Sequence, residues 1–129
     1  MALNLEIVAP DRRAWKGEAT EVQVPGSVGE FGVLEHHANL LGTTRPGLVA
    51  LRSGQGDVRL VVGAGFAEVG TDGVTLLVDS CEEAGSYDKE QAAQDLAEAE
   101  SELENIDPMS NDYARARNRV ELAMARLDA

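Results

Sequence analysis

The chain has 129 residues, 43% of them hydrophobic, and 23 acidic against 11 basic side chains leave a net charge of −12. That length suits one ordinary domain, or a small domain with an appendage. The acidity argues against binding to phosphate backbones or anionic lipid surfaces. Cys81, the single cysteine, excludes an intramolecular disulfide and fits a reducing compartment.

The start, Met1-Ala2-Leu3-Asn4-Leu5-Glu6, lacks the basic residues and long apolar run of a signal peptide. No later stretch approaches the roughly 18 apolar residues of a membrane helix. Leu3-Asn4-Leu5-Glu6-Ile7 alternates as a half-buried strand does, and so does Glu21-Val22-Gln23-Val24, which Pro25-Gly26 is expected to end. Further strands are predicted at Leu48–Leu51, Val58–Val62 and Val74–Val78, separated by turn signals at Ser53–Asp57 and Thr71–Gly73. Gly63-Ala64-Gly65 precedes no helical pattern, so it predicts a tight turn or bulge and not a phosphate cradle. Short strands at this spacing, each with one face to bury, predict a β-sandwich or barrel.

After Gly85 glycine disappears and Ala, Glu, Leu and Arg take over. Asp88 with Gln91 three residues on predicts a capping box and a helix start. Ala92, Leu96, Ala99, Leu103 and Ile106 then recur at helical spacing until Pro108. Ser110, Asn111 or Asp112 caps a second helix, with its seam at Tyr113, Ala116, Val120, Ala123 and Leu127. Two such seams on a short link predict an antiparallel hairpin. The expected division is therefore a sandwich over 1–86 and a helical hairpin over 87–129.

Charge divides in the same way. Residues 88–108 carry one basic and eight acidic side chains, a net of −7, whereas 109–129 carry four and three, a net of +1. Ala buries three carbons fewer than Leu, at roughly 0.8 kcal/mol per CH₂. A seam built half of Ala packs closely and holds weakly, so the hairpin is expected to leave its resting place at modest cost.

Few residues have the makings of chemistry. His36 and His37 are the chain's only histidines. Neighbours on an extended strand face opposite ways, so the two cannot easily chelate one ion, and no third histidine completes a set. The serines and Cys81 lack a nucleophile-elbow context. Asp95, Glu98 and Glu102 are expected on a solvated helix face. Arg115, Arg119 and Arg126 form a stripe that either balances the acidic first helix or docks on an acidic partner.

The segment Gly29-Glu30-Phe31-Gly32-Val33-Leu34-Glu35-His36-His37-Ala38-Asn39-Leu40-Leu41, followed by Pro46-Gly47, resembles the G-E-L-G-I-L-P-G-H-A-P-L-L…P-G stretch of the epsilon-subunit family of F-type ATP synthases. Val22–Gly26, Gly65–Val69, Val74–Asp79 and Asp112-Tyr113-Ala114 extend the resemblance over the whole chain. It implies a non-catalytic central-stalk subunit, peripheral on the cytoplasmic face of a bacterial membrane, that couples rotation of the c-subunit ring to the catalytic head. It also implies that Glu30, His37 and Leu40, in a loop, meet the gamma subunit and the c-ring. Arg115, Arg119 and Arg126 would meet the alpha and beta subunits when the hairpin inhibits ATP hydrolysis. Glu35, His36 and Asn39 replace the family's Pro, Gly and Pro, which frees the backbone of that loop.

Some members of the family bind ATP through Ile/Leu-Asp-x-x-Arg-Ala on the helical domain. Here Tyr87-Asp88-Lys89-Glu90-Gln91-Ala92 places Gln91 where the arginine stands, removing the best phosphate partner. No cofactor is expected, and calorimetry should detect no micromolar ATP binding. A free-standing sandwich adaptor for another oligomer is the competing reading, and co-purification with the gamma subunit separates the two.

Overall fold

Ten strands and then two helices follow one another through the described residues (3–26, 29–34, 40–54, 56–71 and 73–129) of the computed structural model. The strands are β1 (Leu3–Ala9), β2 (Arg12–Ala19), β3 (Glu21–Gly26), β4 (Gly29–Leu34), β5 (Leu40–Thr44), β6 (Gly47–Ser53), β7 (Gly56–Val62), β8 (Gly65–Val69), β9 (Gly73–Val78) and β10 (Cys81–Glu83). One sheet runs β10-β7-β6-β3, with β4 on the far edge of β3; the other runs β5-β8-β9-β1-β2. They join at a corner where Gly26 pairs with Thr44. The β1–β9 pair is parallel and the other pairs are antiparallel.

The predicted alternation is what builds the core. Leu3, Leu5 and Ile7 of β1 point inward while Asn4 stays exposed. They meet Val22, Val24, Val49 and Leu51 from the opposing sheet in one cluster, with Trp15 packed at its side. Leu, Ile and Val dominate this core, as the scarcity of aromatics requires. The close approach behind the Gly63–Gly65 turn is explicit. A Cβ on Gly65 would lie 1.9 Å from the carbonyl oxygen of Leu77, so only glycine fits there.

Two readings of the sequence need correction. Pro25-Gly26 does not end β3. The strand continues through both, pairing them with Glu30 and Gly29, while the Pro25 carbonyl accepts from the Arg45 amide at 2.8 Å. Proline is tolerated because its missing donor falls where the ladder changes partner. Glu30 and Leu40 belong to strands and not to a loop. Arg12–Ala19, a stretch without clean alternation to which the sequence assigned no element, is a strand as well, paired along β1 with a register shift at Ile7/Val8.

The helices are α1 (Lys89–Glu104) and α2 (Asn111–Asp128). Asp88 caps α1 by accepting from the Glu90 amide at 2.9 Å. The reciprocal half of the predicted box is missing, because the Gln91 amide donates forward to Asp95 at 2.9 Å. Ser110 caps α2 through the Asp112 amide. Ala92, Ala99, Ala116 and Ala123 are buried, while Leu96, Leu103, Ile106, Tyr113, Val120 and Leu127 are half-buried along the two seams. The hairpin rests on the sandwich through α2, which lies against β6 and β7. Among the described residues no helix is long and apolar enough to cross a membrane.

Candidate functional site: an apolar sheet face and a clasped hairpin

The second sheet carries an unusual outer face. Register places Thr43 opposite Phe66, Phe66 opposite Leu77, and Leu77 opposite Val8, a single row across β5, β8, β9 and β1. Side chains alternate along a strand, so Leu41 shares this face with Thr43. Leu41 is 64% exposed, Phe66 39% and Leu77 52%. Their neighbours Ala67 and Leu76 point the other way and are buried. Parallel to this row runs a polar one, in which Glu68 pairs with Thr75 and Thr75 with Glu6. Clustered exposed apolar side chains beside carboxylates mark a contact surface more often than a solvated one.

Sequence reasoning passed over Phe66 and Leu77 as contact residues. A signal was present, since Leu76-Leu77 breaks strict alternation and must put one leucine outside. Of the residues named for rotor contacts, Leu40 lies in β5, with its backbone paired to Val69, next to Leu41. Glu30 lies on the opposite sheet in β4, paired to Pro25. His37, with His36, falls outside the described residues. Among the described residues no three His, Cys, Asp or Glu side chains are grouped to hold a metal. Cys81 is buried, and burial pushes its thiol above the ordinary 9.0 although Arg12 opposes this.

The hairpin is held by a polar clasp. Arg126 donates to Glu82 of β10 from Nη2 to Oε1 at 2.8 Å and from Nε to Oε1 and Oε2 at 3.2 and 3.3 Å. Both side chains are about four-fifths covered, at 18% and 21% exposure. The guanidinium also lies 3.8 Å from the centroid of the Tyr87 ring. Tyr87 in turn donates its hydroxyl to Asp95 at 2.6 Å. Asp95 is therefore half-buried and engaged, whereas Glu98 and Glu102 are exposed as expected. Lys89 ties the start of α1 to the end of α2 by donating to the Leu127 carbonyl at 3.0 Å.

The three arginines of α2 have separate fates. Arg126 is in the clasp, and Arg119 pairs with Glu102 across the hairpin. Arg115 is exposed and makes no ion pair among the described residues. Arg115 and Arg119 line one groove with Glu102 and Asp112.

The clasp carries a pH signature. The Tyr87 hydroxyl, and next the Gln91 amide, hold the Asp95 carboxyl below its ordinary 3.8. The same bond to Asp95 raises Tyr87 above its ordinary 10.0, although Arg126 pulls the other way. A lowered carboxylate stabilises the fold above its unfolded value, and that contribution is lost as pH falls through the folded value. A raised phenol stabilises below its unfolded value and loses its contribution as pH rises through the folded one. In a Tyr113→Phe background, absorbance at alkaline pH should show Tyr87 titrating above 10.0, and Asp95→Asn should bring it down.

Comparison with known proteins now bears on these surfaces. Residues 2–84 match the family model described as ATP synthase, delta/epsilon chain, β-sandwich domain. The ATP synthase epsilon chain of Synechococcus sp. (strain WH7803) is 36% identical over all of this chain and 96% of its own length. This chain belongs to the ATP synthase epsilon-chain family. The chloroplastic epsilon chain of Guillardia theta is likewise 36% identical, over 100% of this chain and 98% of that one. The fold also matches a chain in the Euglena gracilis mitochondrial ATP synthase (OSCP/F1/c-ring) with a TM-score of 0.81 at 21% identity, covering 98% of this chain and 79% of that chain. A chain in the Tetrahymena thermophila central stalk/c-ring structure matches with a TM-score of 0.67 at 13% identity, over 98% and 97% of the two chains. The sandwich of the epsilon-chain family is thus followed here by a hairpin that folds back upon it.

Proposed function

We propose that this chain is a non-catalytic central-stalk subunit of an ATP synthase, working through contact surfaces alone. In this reading the sandwich, residues 1–86, grips the gamma subunit and rests on the c-subunit ring. It passes rotation of the ring to the catalytic head from a peripheral position on the cytoplasmic face of a bacterial membrane. The observation that carries the reading is the sheet face that exposes Leu41, Phe66 and Leu77 on a chain of the epsilon family. An apolar centre with a polar rim is the anatomy of a protein–protein interface. Glu30, His37 and Leu40 are assigned to the rotor partners, gamma subunit and c-ring. The gamma subunit should co-purify with this chain at equal stoichiometry, and a chain that elutes alone from the mixture would overturn the assignment.

The hairpin, residues 87–129, is the regulatory part. Arg115, Arg119 and Arg126 are assigned to acidic surfaces of the alpha and beta subunits. Of the three, Arg115 is already available, Arg119 must exchange Glu102, and Arg126 must leave Glu82. The inhibited state therefore requires the clasp to open. Truncation after Gly85 should raise ATP hydrolysis by the assembled enzyme several-fold, and unchanged hydrolysis would remove the regulatory role.

A further inference from the structure

The face of α2 that meets the sandwich contains one ill-matched group. Glu121 lies in a groove of about 200 Å³ between Pro25, Arg45, Pro46, Gly47 and Leu48 of the sandwich and the last turns of α2. The side chain as a whole is 24% exposed, but its Oε2 is buried without a hydrogen-bond partner. Its Oε1 lies 3.9 Å from Nε of Arg117, too far for a hydrogen bond and in the weaker Arg-before-Glu order on a helix. Arg45 lines the same groove, but its side chain is exposed and makes no ion pair among the described residues. A carboxylate oxygen withheld from water and given no donor opposes the state that buries it. Five residues further on, Arg126 does the opposite, clasping Glu82 with well-formed bonds.

We propose that Glu121 is a built-in release element, a carboxylate with one oxygen left without a partner under α2 that works against the Arg126 clasp and sets how readily the hairpin leaves the sandwich. On lifting, Glu121 regains hydration while Arg126 loses Glu82. The two residues push the docking equilibrium in opposite directions from successive turns of one helix, Glu121 over the groove by Pro25 and Arg126 over β10. This deepens the reading of the hairpin as the moving part, but docking on the chain's own sandwich is a property of the isolated molecule.

The test is therefore made on the isolated full chain, by native-state hydrogen exchange. The readout is exchange of the β6 and β7 amides beneath α2 and of α2 itself, relative to the β1 and β9 amides of the far sheet. Glu121→Leu and Glu121→Gln remove the charge with little change in helix propensity. Both should slow the relative exchange at least threefold, Leu more than Gln, while Arg126→Ala should speed it at least threefold. Relative exchange that is unchanged or faster in both Glu121 variants would overturn the proposal. Because no other subunit is present, that result would leave the rotor assignment untouched, and failure to bind the gamma subunit would leave this one untouched.

Discussion

Replacing Phe66 and Leu77 together with aspartate should weaken the complex with the gamma subunit by at least about 30-fold, while the thermal midpoint of the isolated chain stays within a few degrees of the parent. The two side chains are paired across β8 and β9 and lie largely in solvent, so the isolated fold owes them little. At an interface they would form the desolvated centre, where removing one anchor costs about 2 kcal/mol or more. That corresponds to roughly a 30-fold change in affinity at ordinary temperature. Placing carboxylates there adds an unpaired buried charge to the loss. Titration calorimetry with purified gamma subunit measures the first quantity and differential scanning calorimetry the second. A double variant that binds normally would show that the rotor contact lies elsewhere.

The neighbouring leucine should behave in the reverse way. Leu76 is 1% exposed and belongs to the cluster that joins the two sheets. Truncating a buried leucine removes its transfer free energy and leaves a cavity, at about 2–5 kcal/mol. For the sandwich this lowers the midpoint by about 10 °C or more. Leu76→Ala should therefore destabilise strongly, yet at a temperature where it remains folded it should bind the gamma subunit with nearly parental affinity. Two adjacent leucines separate folding from function because the pleat sends them to opposite faces. If Leu76→Ala and Leu77→Ala lowered the midpoint equally, the assigned register of β9 would be wrong.

These two residues also show what was legible in the sequence. Alternation at Leu3–Ile7 and Glu21–Val24 announced strands because one face of each meets the core. The run Val74–Val78 announced a strand but not its sides, since an outward Leu77 reads like an inward one until its partners are known. Arg12–Ala19 was hidden because β2 is an edge strand with most of its residues exposed or half-exposed, so no burial pattern is imposed on it. Pro25 misled for the opposite reason, its tertiary setting sparing it a ladder bond.

The hairpin could be read almost entirely from periodicity, because its seams are local. Its docking could not. The clasp unites Glu82, Tyr87, Asp95 and Arg126, residues spread over 45 positions that carry no spacing signal. Glu121 was equally invisible, since a glutamate on an arginine-rich helix reads as surface until the sandwich closes over it. The resemblance to the epsilon family implied the partners, and the structure adds an exposed apolar face on β5, β8 and β9 that the sequence did not announce.

The claim on which the rest depends is that the outer face of β5, β8 and β9 meets the gamma subunit. Site-specific photo-cross-linking from position 77 in the assembled ATP synthase tests it most directly. A dominant adduct with the gamma subunit, absent when the probe is moved to the outward Arg59 on the opposite sheet, is the result this account predicts. An enzyme that assembles with the probe at position 77 and yields no gamma adduct would contradict it.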